Sequence, residues 1–87
     1  MRFIFERVYK RQYSKLSASM HDRIDERLLL LLTDTNNPLL NNHKLNPPYE
    51  GFFSINITGD YRLVYKKIDT RTYFLRAIGT HHQLYKS

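Results

Sequence analysis

Residues 2–7, Arg-Phe-Ile-Phe-Glu-Arg, gather aromatic and β-branched side chains into a short run and predict an opening strand. From Val8 the period lengthens. Tyr9, Tyr13 and Leu16 recur at helical spacing with Lys10, Arg11 and Lys15 between them, predicting a short basic amphipathic helix. Residues 17–19 break it, and Ser19 with Asp22 has the form of a capping box, with Asp in place of the preferred Glu. A second helix is expected to about Thr33, its inner stripe made of Met20, Ile24, Leu28, Leu31 and Leu32. So short a break folds the two into an antiparallel pair.

Residues 34–51 hold Pro38, Pro47 and Pro48 together with Asn36, Asn37, Asn41, Asn42 and Asn46, which reads as a connecting segment. Leu39, Leu40 and Leu45 would tack it to the core. Strand chemistry follows: Phe53, Ile55 and Ile57 alternate with Ser54, Asn56 and Thr58, and Gly59-Asp60 supplies a turn. Residues 61–68 form a second strand, closed by Asp69-Thr70-Arg71, and residues 73–78 a third, ending at Gly79. The order β-α-α-β-β-β defines an α+β domain over residues 1–87, a helical hairpin packed on one face of a mostly antiparallel four-stranded sheet. The opposite face, with the loops at its edges, is then free for a ligand.

Composition narrows the choices. With no cysteine among 87 residues, a disulfide framework, a zinc ribbon, a Cys nucleophile and an iron–sulfur cluster all drop out. Fourteen Lys and Arg against eight Asp and Glu give a net charge of +6, which favours an anionic partner. The longest apolar run, residues 28–32, is far short of the roughly 20 residues that span a bilayer. The opening is too short in apolar residues for a signal-peptide core. These features predict a soluble cytoplasmic protein with no membrane partner.

Four histidines, His21, His43, His81 and His82, are the obvious chemical groups. His21 falls on the polar face of the second helix and reads as a solvated residue. No pair has the i, i+4 spacing of a helical metal site, and neighbours in an extended segment point apart, so His81 and His82 are poor partners for one ion. No metal or cofactor is expected. No Gly-x-Ser-x-Gly elbow is present, and Gly51, Gly59 and Gly79 are too scattered to cradle a phosphate. What remains is a basic and aromatic group on the meander: Arg62, Lys66, Lys67, Arg71 and Arg76 among Tyr61, Tyr65 and Tyr73. Such residues suit an RNA phosphodiester, with cations for phosphate and ring faces for unpaired bases; they also suit an ordinary solvated sheet face. Metal-free RNA cleavage further needs a base, a cation and an acid, and imidazole, titrating near pH ~6.5, serves either proton transfer. His43, Asp60 and His81 are candidates if they meet in space.

The stretches Asn42-His-Lys-Leu45, Gly51, Ser54-Ile-Asn-Ile-Thr-Gly-Asp-Tyr-Arg-Leu-Val-Tyr65 and Ile78-Gly-Thr-His-His-Gln-Leu-Tyr85 resemble the RelE/ParE superfamily of toxins from type II toxin–antitoxin modules. The Gly-Thr-His-x-x-Leu-Tyr ending is most similar to the YafQ branch of mRNA interferases. The resemblance implies ribosome-dependent cleavage of mRNA in the A site, without metal or small-molecule cofactor, through a 2′,3′-cyclic phosphate. It also implies neutralisation by a cognate antitoxin. Matched residue by residue, it implies His81 as general acid, His43 in proton transfer and Asp60 as the acidic member of a hairpin pair with Tyr61. It implies Arg62 facing the scissile phosphate and Tyr85 orienting substrate; His82, an addition to the pattern, would supply positive charge there. Asn56 and Ala77 stand where that branch has a histidine and an arginine. Two other readings share these motifs: a ParE-like toxin that poisons gyrase, and an inactive member that acts by binding alone.

Overall fold

The computed structural model describes residues 2–85. Strand β1 (Arg2–Phe5) leads into helices α1 (Arg7–Ser14) and α2 (Ala18–Thr33). Strands β2 (His43–Lys44), β3 (Phe53–Thr58), β4 (Tyr61–Asp69) and β5 (Thr72–Thr80) follow, and helix α3 (His81–Tyr85) comes last. One sheet holds all the strands in the order β1-β5-β4-β3-β2. β1 runs parallel to β5, and the other pairs are antiparallel.

The α+β architecture matches expectation, but the sheet has five strands and not four. The extra strand is β2, which sets His43 opposite Ser54 and Lys44 opposite Phe53. Two residues inside a Pro- and Asn-rich segment carry no periodic signal, so only the pairing reveals them. The opening strand stops at Phe5, because Glu6 caps α1: its carboxylate accepts the Val8 amide at 2.9 Å. Ser17, and not Ser19, caps α2, its hydroxyl accepting the Met20 amide at 3.2 Å. The helix begins one residue after Ser17, which leaves Ser19 within the first turn.

His21 is not free in solvent. Its ring stacks on Tyr13 at 3.9 Å with the planes 3° apart, and Nε2 donates to the Tyr13 carbonyl at 2.7 Å. That contact locks the last turn of α1 to the first turn of α2. Between this hairpin and the sheet lies the main core. Ile24, Leu28 and Leu31 of α2 and Tyr9 of α1 pack on Ile55, Ile57, Leu63, Tyr65, Tyr73, Leu75 and Ile78. Leu40 is fully buried with them, whereas Leu39 stays exposed.

The strand alternation slips once in β5. Tyr65 pairs with Leu75 and Val64 with Ala77, so Arg76 is an extra, unpaired residue. Leu75 consequently joins the helix-side core while Ala77 faces the other way. A regular strand would have put both on one face. Beyond Leu75 that edge of β5 has no strand neighbour among the described residues, and α1 takes the place. Gln12 Oε1 accepts the Ile78 amide at 2.8 Å, and the Arg76 guanidinium reaches Glu6 at 3.5 Å.

The sheet face away from the helix hairpin, expected to be free, is partly roofed. Val64, Ala77 and Leu84 form a small second cluster under Leu45, Tyr49, Phe52 and Tyr85. No helix among the described residues is long and apolar enough to cross a membrane.

Candidate active site

Cross-strand pairing sorts the candidate residues by face. Directly paired residues share a face, so His43, Ser54, Val64 and Ala77 form one row across the open side of the sheet. Asn56, Arg62 and Gly79 form the next row. With strands about 4.8 Å apart, the backbone of His43 lies roughly 10 Å from that of β4.

Each candidate is held by its own neighbours. The His43 ring is exposed, and its Nδ1 lies 2.7 Å from the Asn41 carbonyl. A carbonyl can only accept, so Nδ1 carries the proton and the lone pair sits on Nε2. Asn42 anchors the approach to this strand, its Oδ1 accepting the Tyr65 hydroxyl at 2.9 Å and its amide donating to the Thr35 carbonyl at 3.4 Å. Burial pushes the Tyr65 phenol up to about 12, against the downward pull of its bond to Asn42. Tyr65 is therefore neutral and donating through the physiological range.

At the other end, α3 starts where β5 stops. Thr80 Oγ1 accepts the Gln83 amide at 3.1 Å while Gln83 Oε1 accepts the Thr80 amide at 2.9 Å. This reciprocal pair is a capping box, and it turns the segment expected to be extended into a helical turn. His81 is its first residue. Its amide donates to the Asp60 carbonyl at 3.0 Å, tying α3 to the β3–β4 hairpin, and its ring meets Tyr85 edge to face at 4.7 Å. Gly79 allows this close fold-back: a Cβ there would stand 2.9 Å from Gln83 Oε1 and 3.4 Å from Leu84 Cδ2.

The structure thus brings Asp60 and His81 together through the backbone and sets Arg62 and His43 on the same face. Among the described residues, the side chains of His43, Asp60 and His81 make no hydrogen bond to one another. Arg62 uses Nη1 for two turn carbonyls, Gly59 and Tyr61, each at 3.0 Å. Tyr61 packs against the helix-side core, on the opposite face from Arg62. His82 is exposed on α3, and Tyr85 is half-buried between His81 and Tyr49. No three His, Asp or Glu side chains gather closely enough to hold a metal ion among the described residues.

Sequence reasoning passed over several contributors. The Thr80-x-x-Gln83 signature was legible as a helix start and would have placed His81. Ser54 Oγ and Asn56 Oδ1 are buried without hydrogen-bond partners, which only the packing shows.

A helical hairpin on a five-stranded, mostly antiparallel sheet ending in a short His-bearing helix is the fold of the RelE-type toxins. Residues 1–86 match the model of the bacterial type II toxin–antitoxin toxin YafQ, and the chain belongs to that family. It is similar to solved YafQ from E. coli strain BL21(DE3), with 18% identity, 95% of this chain and 96% of that one covered, and a TM-score of 0.75. It is also similar to a chain of the E. coli DinJ-YafQ complex (16% identity, 95% and 96% covered, TM-score 0.74). A chain of the Staphylococcus aureus YoeB-YefM complex matches at 20% identity, with 91% and 94% covered and a TM-score of 0.75. A search of curated proteins returned no match. The protein is a toxin of a type II toxin–antitoxin system, of the YafQ family.

Proposed function

We propose that this toxin is a ribosome-dependent mRNA interferase that cuts the message in the A site by acid–base catalysis. The observation that carries the reading is the tautomer of His43: its Nδ1–H is committed to the Asn41 carbonyl, which leaves Nε2 as a base on the face shared with Arg62. His43 Nε2 takes the proton of a 2′-hydroxyl, and the freed oxygen attacks the adjacent phosphorus. The bond to the 5′-oxygen breaks as His81 in its charged form donates a proton to it, leaving a 2′,3′-cyclic phosphate and a 5′-hydroxyl. Both proton transfers balance without metal or cofactor.

The remaining residues support these two. Arg62 lies on the same face, where its guanidinium N–H groups offset the charge that builds on the phosphorane. Asp60 acts through its carbonyl, which holds the amide of His81. Tyr85 orients the His81 ring, His82 adds positive charge beside the phosphate, and Tyr61 braces the hairpin from the core side. The ribosome presents the message and completes the site, so the toxin works in the cytoplasm. Neutralisation by a cognate antitoxin follows from family membership, and DinJ and YefM in the complexes of relatives support it. The +6 charge suits an acidic partner.

Primer extension on cellular mRNA after brief induction, wild type beside His81→Ala, tests the reading. Cuts inside translated codons are expected in the wild type and absent from the variant. Growth arrest without cuts would overturn it in favour of gyrase poisoning, and neither arrest nor cuts would leave a binding protein.

A further inference from the structure

Four ring contacts run in series across the open face, starting from the candidate acid. His81 meets Tyr85 at 4.7 Å, Tyr85 meets Tyr49 at 5.9 Å, Tyr49 meets Phe52 at 6.4 Å and Phe52 meets Phe74 at 6.5 Å. The Lys66 ammonium stands over the Phe52 ring, 5.1 Å from its centroid. Lys66 pairs directly with Phe74 across β4 and β5, so both stand on this face.

Packing explains only the near half of the run. Tyr85, Tyr49 and Phe52 roof the small cluster of Val64, Ala77 and Leu84, and the Tyr49 hydroxyl is spent on the Leu84 carbonyl at 3.2 Å. Phe74 lies outside that cluster and remains half-buried, with an exposed lysine beside it. An aromatic residue and a cation placed beyond the roof add nothing to shielding Leu84. They do match the two needs of an unpaired nucleic-acid strand, a ring face for a base and a charge for a phosphate.

We propose that this run is a track for single-stranded RNA leaving the cut, with Phe74 and Lys66 as its outer contacts. The chemistry of the cut sets its polarity. His81 protonates the 5′-oxygen, which belongs to the nucleotide on the 3′ side of the broken bond. A track that begins at His81 therefore receives the nucleotides 3′ of the cut. The inference rests on the nuclease reading for that polarity alone; the binding surface itself does not depend on it.

Fluorescence anisotropy with 2′-O-methyl oligouridylates of three, six and nine nucleotides, which resist cleavage, tests the surface. The wild type should gain about tenfold in affinity between three and six nucleotides. Phe74→Leu, which keeps apolar bulk, and Lys66→Gln should lose that gain and leave trinucleotide binding unchanged. Lys66→Gln should also lower the salt slope of binding by about one. Affinity that does not grow with length, or a gain that survives in both variants, overturns the track.

Gel analysis of 5′-end-labelled messages ending at successive positions 3′ of the A-site codon, on programmed ribosomes, tests polarity. Cleavage by the wild type should rise with 3′ length, while Phe74→Leu should be indifferent to it. Wild-type cleavage that ignores 3′ length, with His81→Ala inactive, overturns the track and leaves the nuclease standing. Length-dependent binding without any cleavage overturns the nuclease and leaves the track.

Discussion

Leu63 and Val64 are neighbours on β4, both wholly buried, and they belong to different parts of the molecule. Leu63 points to the helix side, where the sheet meets α1 and α2 in one continuous apolar core. Val64 points to the open side, where its only buried apolar companions among the described residues are Ala77 and Leu84. Within the sheet, the buried polar atoms without partners lie on this second face, Ser54 Oγ and Asn56 Oδ1 in adjacent rows. Each such atom costs about 1–3 kcal/mol relative to a satisfied one. One face is thus built for stability, and the other keeps groups that stability alone would have removed.

Truncating each neighbour is the strongest way to break that contrast. Leu63→Ala should cost about 2–5 kcal/mol in urea unfolding, because it opens a cavity in a core that cannot collapse around it. Val64→Ala should cost on the order of half as much, since its cluster is small and lies beneath movable aromatic side chains. Among molecules that remain folded, however, mRNA cleavage should fall further in Val64→Ala, whose cavity lies directly under α3. Equal losses of stability with equal activity per folded molecule would erase the distinction between the faces.

A smaller change sharpens it. Gly79→Ala places a Cβ 2.9 Å from Gln83 Oε1 and 3.4 Å from Leu84 Cδ2. Gln83 Oε1 accepts the Thr80 amide, so the shift that relieves the clash breaks half of the capping box. Losing that cap contact costs about 0.5–2 kcal/mol, and the loss should fall on α3. Amide exchange should rise in residues 81–85 and stay low on β3 and β4, while cleavage drops along with the displaced His81. Gln83→Ala removes half the capping box and should act in the same direction by about 0.5–2 kcal/mol, read by the same exchange experiment. Global unfolding in either variant would show that α3 belongs to the stable face after all.

The two faces were not equally legible in the sequence. The helix side announced itself, because Ile24, Leu28 and Leu31 repeat at helical spacing and Ile55 and Ile57 at strand spacing, and burial follows period. On the open face, residue types offered His43, Asp60 and His81 as candidates, but roles for them came through family resemblance to short motifs around them. Its physical devices break periods and so left little trace: a two-residue strand, an extra residue at Arg76 and a five-residue helix. Thr80-x-x-Gln83 was the exception, a local signature that needs no tertiary context. His21 was misjudged for the converse reason, since its partner Tyr13 sits on another helix and pattern alone places it in solvent.

Tyr65 links the faces and supports the gentlest test. Its ring lies in the helix-side core, stacked on Phe53 at 5.7 Å, while its hydroxyl reaches Asn42, one residue before His43. Tyr65→Phe leaves the packing intact and removes one neutral hydrogen bond, a loss of about 1 kcal/mol. Ionisation reports the burial of the same phenol, which outweighs the opposite pull of that bond. Folding raises this phenol from 10.0 to about 12, so the folded chain holds the proton more tightly than the unfolded chain. The stability it contributes is complete below pH 10 and drains away as pH rises through 12, at up to about 1.4 kcal/mol per pH unit. Wild-type urea midpoints should therefore fall across that window, and Tyr65→Phe should fall less steeply, retaining the share of Tyr9, whose phenol burial also raises. A variant that follows the wild-type curve would mean that Tyr65 does not carry the alkaline loss. An unchanged urea midpoint at pH 7 in Tyr65→Phe would mean that the tie to the loop before His43 contributes nothing measurable to holding the two faces in register.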